Sequence, residues 1–402
     1  MASKSGDPLT SSSSTKTAME TKSIQERRLN GLAPVAAPRA HYYQQRQPRK
    51  VLESTSSNSS HPDHHDHQPE QATVREHQPF DASNDAKALF KAMEGLGTNE
   101  NKIIDLLSKR SIGQRLEIRV AYKTLYGKDI IKAFRGELKI IFSGHLEDVI
   151  EALFKPPEVY DAELIHHAIT GLSTDEDALI DIVCSRSNAD LEGILKTYKQ
   201  LYQKELVADI QGHVHSSVAF KKLLIALLTG TRDDDTQVNT SQAKWDARAM
   251  YDAGPKHWAK DSTFAPIFAD RSYAHLKLVF TEFEEMADTD IEKVLGKDLH
   301  GDVGHLLESL AKFAKHKDTY FAELLHKSMK GHLGTNHKAL IRTVVSRCEK
   351  DMVPIKERFQ EQYHKSLGSA LEAETSGHYR NILLALTGCH DELRKHDPAH
   401  IA

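Results

Sequence analysis

The chain has 402 residues, room for two or three ordinary domains, and its 53 Lys and Arg against 57 Asp and Glu leave a formal net charge of −4. So balanced a charge selects no nucleic acid, and a mildly acidic body needs a bridging cation or a local basic patch to meet an acidic surface. Three cysteines exclude a disulfide framework and suit a reducing compartment. With no apolar leader, no run long enough to span a bilayer, and Ala2 where N-myristoylation needs glycine, any membrane contact is expected to be peripheral.

Residues 1–80 are rich in Ser, Gln, His and Pro and poor in branched aliphatics, so they are expected to form a disordered tail, unable to bury enough apolar area to offset their ordering entropy. The tail holds His61, His64, His65 and His67 beside Asp63 and Asp66, a set that suits Zn²⁺, Cu²⁺ or Ni²⁺ but reads more plainly as a pH-responsive, polar low-complexity tract. From Asp85 onward apolar residues fall at helical spacing. Ala86 to Met93 and Asn99 to Lys109 read as the first two helices. Thr98, Thr174 and Thr335 read as N-caps.

Repetition organises the rest. Arg110, Arg186, Arg271 and Arg347 lie 76, 85 and 76 residues apart. Seven residues before each stands Ile103, Leu179, Phe264 or Leu340, and three before stands Leu107, Val183, Phe268 or Val344. Those offsets share one helical stripe. Ile118, Ile194, Val279 and Ile355 follow at eight residues, and Tyr122, Tyr198, Phe283 and Phe359 at twelve, forming the stripe of a following helix. Four repeats of about five helices each result: 81–154, 155–230, 240–314 and 315–393. No single repeat buries both stripes, so the four must pack together.

Glycine-rich loops join the first two helices. Repeat I reads Met93-Glu94-Gly95-Leu96-Gly97-Thr98, and repeat IV reads Met329-Lys330-Gly331-His332-Leu333-Gly334-Thr335. Forty residues after Gly97 and after Gly334 come Glu137 and Glu374. Glycines let several carbonyls turn toward one centre, and a distant carboxylate can close a loose six-to-eight-oxygen shell of the kind Ca²⁺ takes. A lipid phosphate in that shell would couple calcium and membrane binding.

These motifs, with Ser185-Arg186, Ser346-Arg347 and Glu374-Thr375-Ser376-Gly377, resemble the annexin family over residues 81 to 393. The resemblance implies an all-α curved disc of four five-helix repeats with calcium loops on its convex face, docking reversibly on anionic phospholipid. It implies ligands from the Met93, Gly95 and Gly97 carbonyls with Glu137, and from Met329, Gly331 or His332, and Gly334 with Glu374. Repeat II departs from the pattern: Gly171-Leu172-Ser173 lacks the second glycine, and His213 stands at the acid position, so its site is expected to be degenerate, with Asp209 as the alternative acid. In repeat III the Gly-Thr pair is gone, leaving Gly254 and Asp298 as a weak metal site at most. Trp258, flanked by Lys256 and Lys260, matches an interfacial tryptophan of some members and is expected at the lipid headgroups, with a packed tryptophan among solvated lysines as the equal alternative. Asp161, Asp181, Arg186 and Arg342 match positions lining a central polar channel, with ion pairing between the halves as the plainer reading.

No nucleophile-elbow, phosphate-binding or zinc-hydrolase pattern occurs, so an enzyme is not expected. The leading expectation is a monomer whose cofactor is Ca²⁺ and whose partner is anionic membrane. It would be cytoplasmic, moving to the inner leaflet as calcium rises, with unconventional secretion left open. The competing expectation is a calcium-independent helical scaffold whose tail recruits a protein.

Overall fold

The computed structural model describes residues 71–94, 98–138, 144–229, 232–234, 237–258, 264–331 and 334–390, apart from the side chains of residues 137 and 138. The chain divides at His64, and all described residues belong to the second unit, His65–Ala402. The tail histidines at 61–67 lie outside the described residues.

Among the described residues regular structure is helical, with no strand. Repeat I comprises α1 (Ala82–Met93), α2 (Glu100–Leu107), α3 (Ile112–Tyr126), α4 (Ile130–Leu138) and α5 (His145–Leu153). Repeat II comprises α6 (Pro157–Thr170), α7 (Glu176–Ser185), α8 (Asn188–Tyr202), α9 (Leu206–His213) and α10 (Val218–Leu228). Repeat III has an additional short helix: α11 (Thr240–Ala253), α12 (Pro255–Trp258), α13 (Ala265–Asp270), α14 (Tyr273–Ala287), α15 (Ile291–Asp298) and α16 (Gly301–Lys315). Repeat IV comprises α17 (Lys317–Met329), α18 (His337–Arg347), α19 (Met352–Tyr363), α20 (Leu367–Glu374) and α21 (Gly377–Leu386).

The anchor arginines end one helix and set the start of the next. Arg110, Arg186 and Arg271 each clamp an aspartate 25 residues upstream, Asp85, Asp161 and Asp246, with both carboxylate oxygens engaged. Such two-point pairs fix orientation as well as distance. The serine after each of these arginines caps the following helix: Ser111 accepts from the Gln114 N–H, Ser187 from Asp190 and Ser272 from His275. Repeat IV has Ala322 at the upstream position, and Arg347 turns instead to Asp351, four residues ahead, which also takes Lys317.

In repeats I, II and IV the first helix packs on the third, and in repeat III, which has the extra short helix, α11 packs on α14. Between repeats the contacts pair I with IV (α2 and α5 against α21, α5 against α18) and II with III (α7 and α10 against α16, α10 against α13), and α16 also meets α17 where repeat III runs into repeat IV. The apolar core follows that division. One buried cluster draws on repeats I and IV, and another on repeats II and III. Cys184, Cys348 and Cys389 are buried and none forms a disulfide; burial pushes the Cys184 and Cys348 thiols up to about 12. Among the described residues no helix is long and apolar enough to cross a membrane.

Residues 71–80, assigned to the tail by composition, are ordered against the body. The Thr73 and Val74 N–H groups both donate to the Cys348 carbonyl at 2.9 Å, and the Thr73 hydroxyl donates to the Leu386 carbonyl at 2.6 Å. Further along, His77 and Gln114 exchange two hydrogen bonds of 3.0 and 2.8 Å. The segment thus ties the start of α3 in repeat I to the ends of α18 and α21 in repeat IV. Composition missed it because Val74 is its one deeply buried large apolar side chain and hydrogen bonds do most of the docking.

At the I–IV seam the His145 and His337 rings stack with centroids 3.7 Å apart, beside Tyr379 and Asp148. Desolvation, then the charge of His145, holds His337 below its usual value of about 6.5. A base held neutral in the fold contributes stability above its unfolded pKa, and that stability is lost as pH falls toward the folded pKa. The urea midpoint should therefore drop as pH falls from 7 to 5.5. His337→Gln should flatten that drop; an unchanged slope would show that the stack does not feel protonation. His316 and His326 act in the same direction and His305, raised by Asp177, in the opposite one, so the variant removes one share only.

Candidate functional site

The repeat IV loop is held in place by bonds that follow from its sequence. The Gly334 N–H donates to the Gly331 carbonyl at 3.0 Å, folding the loop back on itself. A Cβ on Gly331 would lie 2.8 Å from the Gly334 oxygen, and Gly334 itself adopts φ +94°. Both positions therefore need glycine: the first for close backbone approach, the second for its torsion. The N–H of Asn336 then donates to the Ser328 carbonyl at 2.7 Å and closes the loop, while the Asn336 side chain caps α18.

Glu374 arrives from the far end of α20. Its backbone carbonyl accepts the Thr335 hydroxyl at 3.4 Å, and its carboxylate lies 2.7 Å from the ammonium of Lys330. The carboxylate thus stands beside the loop that precedes it by forty residues, half-buried at 24% exposure. Among the described residues no three His, Cys, Asp or Glu side chains converge to hold a metal. Any cation here would rest chiefly on backbone carbonyls. The donors at hand, from Met329, Gly331, Gly334 and Glu374, are all oxygens, which suits a hard cation such as Ca²⁺ and disfavours thiolate- or imidazole-seeking metals. His332 lies outside the described residues.

The other repeats carry the same frame to different degrees. In repeats I and II the closing bond recurs, from Asn99 to the Ala92 carbonyl at 2.7 Å and from Asp175 to Ala168 at 3.0 Å. It spans seven residues there and eight in repeat IV, whose loop is one residue longer. The helix caps are Asn99, Asp175 and Asn336, one residue beyond the threonines expected from sequence. In repeat I, Met93 ends α1, whereas Gly95, Gly97 and the Glu137 side chain lie outside the described residues.

Repeat II presents Leu172 fully exposed at its tip between Gly171 and Ser173. His213 ends α9 with its ring nitrogen 3.0 Å from the Asp209 carbonyl. Asp209 is buried and accepts the Tyr198 hydroxyl at 2.8 Å. Its other oxygen lies 3.6 Å from the ammonium of the exposed Lys204, so both carboxylate oxygens are already engaged.

Repeat III departs from its expected role. Trp258 is 3% exposed, donates its indole N–H to the Met250 carbonyl at 2.9 Å and meets Phe283 edge-on with centroids 5.4 Å apart. A ring so placed does not reach lipid headgroups. The cause is local: after Gly254, at φ +74°, residues 255–258 form the helical turn α12, which packs on α15 and points its last side chain inward. Lys256 and His257 are exposed, Lys260 lies outside the described residues, and Asp298 ends α15.

The central polar residues form ion pairs: Arg186 with Asp161, and Arg342 with Asp181, whose other oxygen accepts the Tyr320 hydroxyl at 3.0 Å. The cavity beside Asp181, Arg186 and Arg342 is only about 10 Å³, room for about one water.

Comparison with known proteins accounts for this frame. The chain matches the annexin family at residues 84–153, 160–227, 245–310 and 320–386, one segment per repeat. It is 39% identical to human annexin A4 over 320 residues, which cover 79% of this chain and 98% of that one. It is equally similar to human annexin A7 over 319 residues, 79% of this chain but only 64% of that longer one. Chicken annexin V, 38% identical, superposes with a TM-score of 0.72 over 79% of this chain and 99% of its own. A calcium-bound annexin, (Sm)1, superposes at 0.70 with 28% identity over 79% and 93%. The family is non-enzymatic. Four matched repeats in one shared helical frame place this chain in the annexin family.

Proposed function

We propose that this protein binds anionic phospholipid surfaces in a calcium-dependent, peripheral manner, to scaffold, traffic or repair membranes. Ca²⁺ would rest on the Met329, Gly331 and Gly334 carbonyls with the Glu374 carboxylate, and on the Met93, Gly95 and Gly97 carbonyls with Glu137. When bound, the ion supplies the positive charge that a mildly acidic body lacks, and a lipid phosphate replaces one of its waters. The observation that carries the reading is the return of Glu374 to the repeat IV loop. A family in which annexin (Sm)1 is seen with calcium bound supports it. Repeats II and III contribute little calcium binding in this reading, since His213 stands at the repeat II acid position and α12 replaces the repeat III loop.

Co-sedimentation with phosphatidylserine vesicles tests it. The wild type should pellet with calcium and stay in solution with chelator, and Glu137→Gln/Glu374→Gln should lose at least about ten-fold in apparent calcium affinity. Pelleting that ignores both calcium and the substitutions would favour a calcium-independent scaffold instead.

A further inference from the structure

The loop sequences of repeats I and IV differ in formal charge at one place. Repeat I reads Met93-Glu94-Gly95, and repeat IV reads Met329-Lys330-Gly331. Glu94 is exposed at the end of α1. Lys330 follows α17 and places its ammonium 2.7 Å from the Glu374 carboxylate, the one side-chain ligand assigned to that loop. Lys330 is 54% exposed.

We propose that Lys330 is a built-in counter-ion that raises the calcium concentration at which the repeat IV site fills. This deepens the calcium reading above and rests on it. An ammonium and a divalent cation at the same carboxylate repel each other, so closing Glu374 on the ion requires the lysine to swing away. Its long stem and exposure make that movement feasible, and an exposed ion pair is weak. Lys330 therefore sets a threshold and does not block the site. The matching position in the repeat I sequence holds Glu94, so the cation at this position belongs to repeat IV and not to both motifs.

The experiment uses the full-length chain with Glu137→Gln, leaving repeat IV as the site under test. Half-maximal calcium is measured for binding to vesicles of phosphatidylserine and phosphatidylcholine, and calcium binding without lipid is followed by calorimetry. Lys330→Gln should lower the half-maximal calcium roughly three- to ten-fold in both measurements. Lys330→Arg, which keeps the charge, should stay near the parent value. In the same background Glu374→Gln should abolish the response. An unchanged or raised calcium requirement in Lys330→Gln, with Glu374→Gln still disabling, overturns the counter-ion and leaves the site standing. The raised requirement would mark Lys330 as a lipid contact. A response that survives Glu374→Gln overturns both the site and the inference.

Discussion

Arg342→Ala should lower unfolding free energy by about 3–5 kcal/mol, measured as a fall in the urea or guanidinium midpoint. Arg342 lies on α18 in repeat IV and Asp181 on α7 in repeat II, so their pair joins the two halves whose apolar cores are separate. Both side chains are buried, and the other donor to the Asp181 carboxylate is the neutral Tyr320 hydroxyl. Burial, with the adjacent Asp181 charge, holds Tyr320 well above its usual pKa, so that hydroxyl keeps its proton. Removing the guanidinium leaves a carboxylate in a poorly solvated seam with one hydrogen bond, and the cost is mostly that of the stranded charge. Asp181→Leu/Arg342→Leu removes both charges and should recover most of the loss. A single-variant loss below about 1 kcal/mol would show that water reaches the pair.

Trp258→Ala should cost a similar ~3–5 kcal/mol, for a different reason. The indole is in van der Waals contact with the repeat III core beside Phe268 and Phe283, and its N–H satisfies the Met250 carbonyl. Truncation removes a large apolar surface, opens a cavity and leaves an acceptor without its donor. Trp258→Phe keeps most of the volume and should recover over half of the loss. Emission provides a second measurement. The chain has two tryptophans, and Trp245 is exposed, so the Phe variant should remove the blue-shifted, acrylamide-resistant component and leave the quenchable one. Emission that stays blue-shifted would place Trp258 outside the core.

The contrast between these residues shows what was legible in the sequence. The recurrence of Arg110, Arg186, Arg271 and Arg347 revealed the repeats because packing imposes a fixed spacing on every copy. The aspartates that three of them bind recur just as regularly, 25 residues upstream, and that signal was present but unread. Glu374 was singled out by a repeated offset of forty residues, and its carboxylate lies beside Lys330. Trp258 stayed undecided from sequence because lysines and a histidine around an aromatic ring suit a membrane interface as well as a core-facing turn. Four residues hold too little periodicity to choose between them. The ion pair of Lys330 was beyond sequence: residue 330 finds residue 374 only once α20 has been brought back to the loop. The caps fell one residue late for a physical reason visible at Thr335, whose hydroxyl serves the Glu374 carbonyl while Asn336 serves the helix.

The pairing of repeat I with repeat IV has a consequence for how the chain is made. A ribosome releases repeats II and III in succession, and their shared core can close once residue 315 has emerged. Repeat I, synthesised before either, has its packing partner at the other end: Thr73 bonds the Leu386 carbonyl, 313 positions away. Contacts of such separation form late and slowly. Repeat I therefore waits, incompletely covered, until repeat IV has emerged, and the half it shares with that repeat is completed after the half made by repeats II and III.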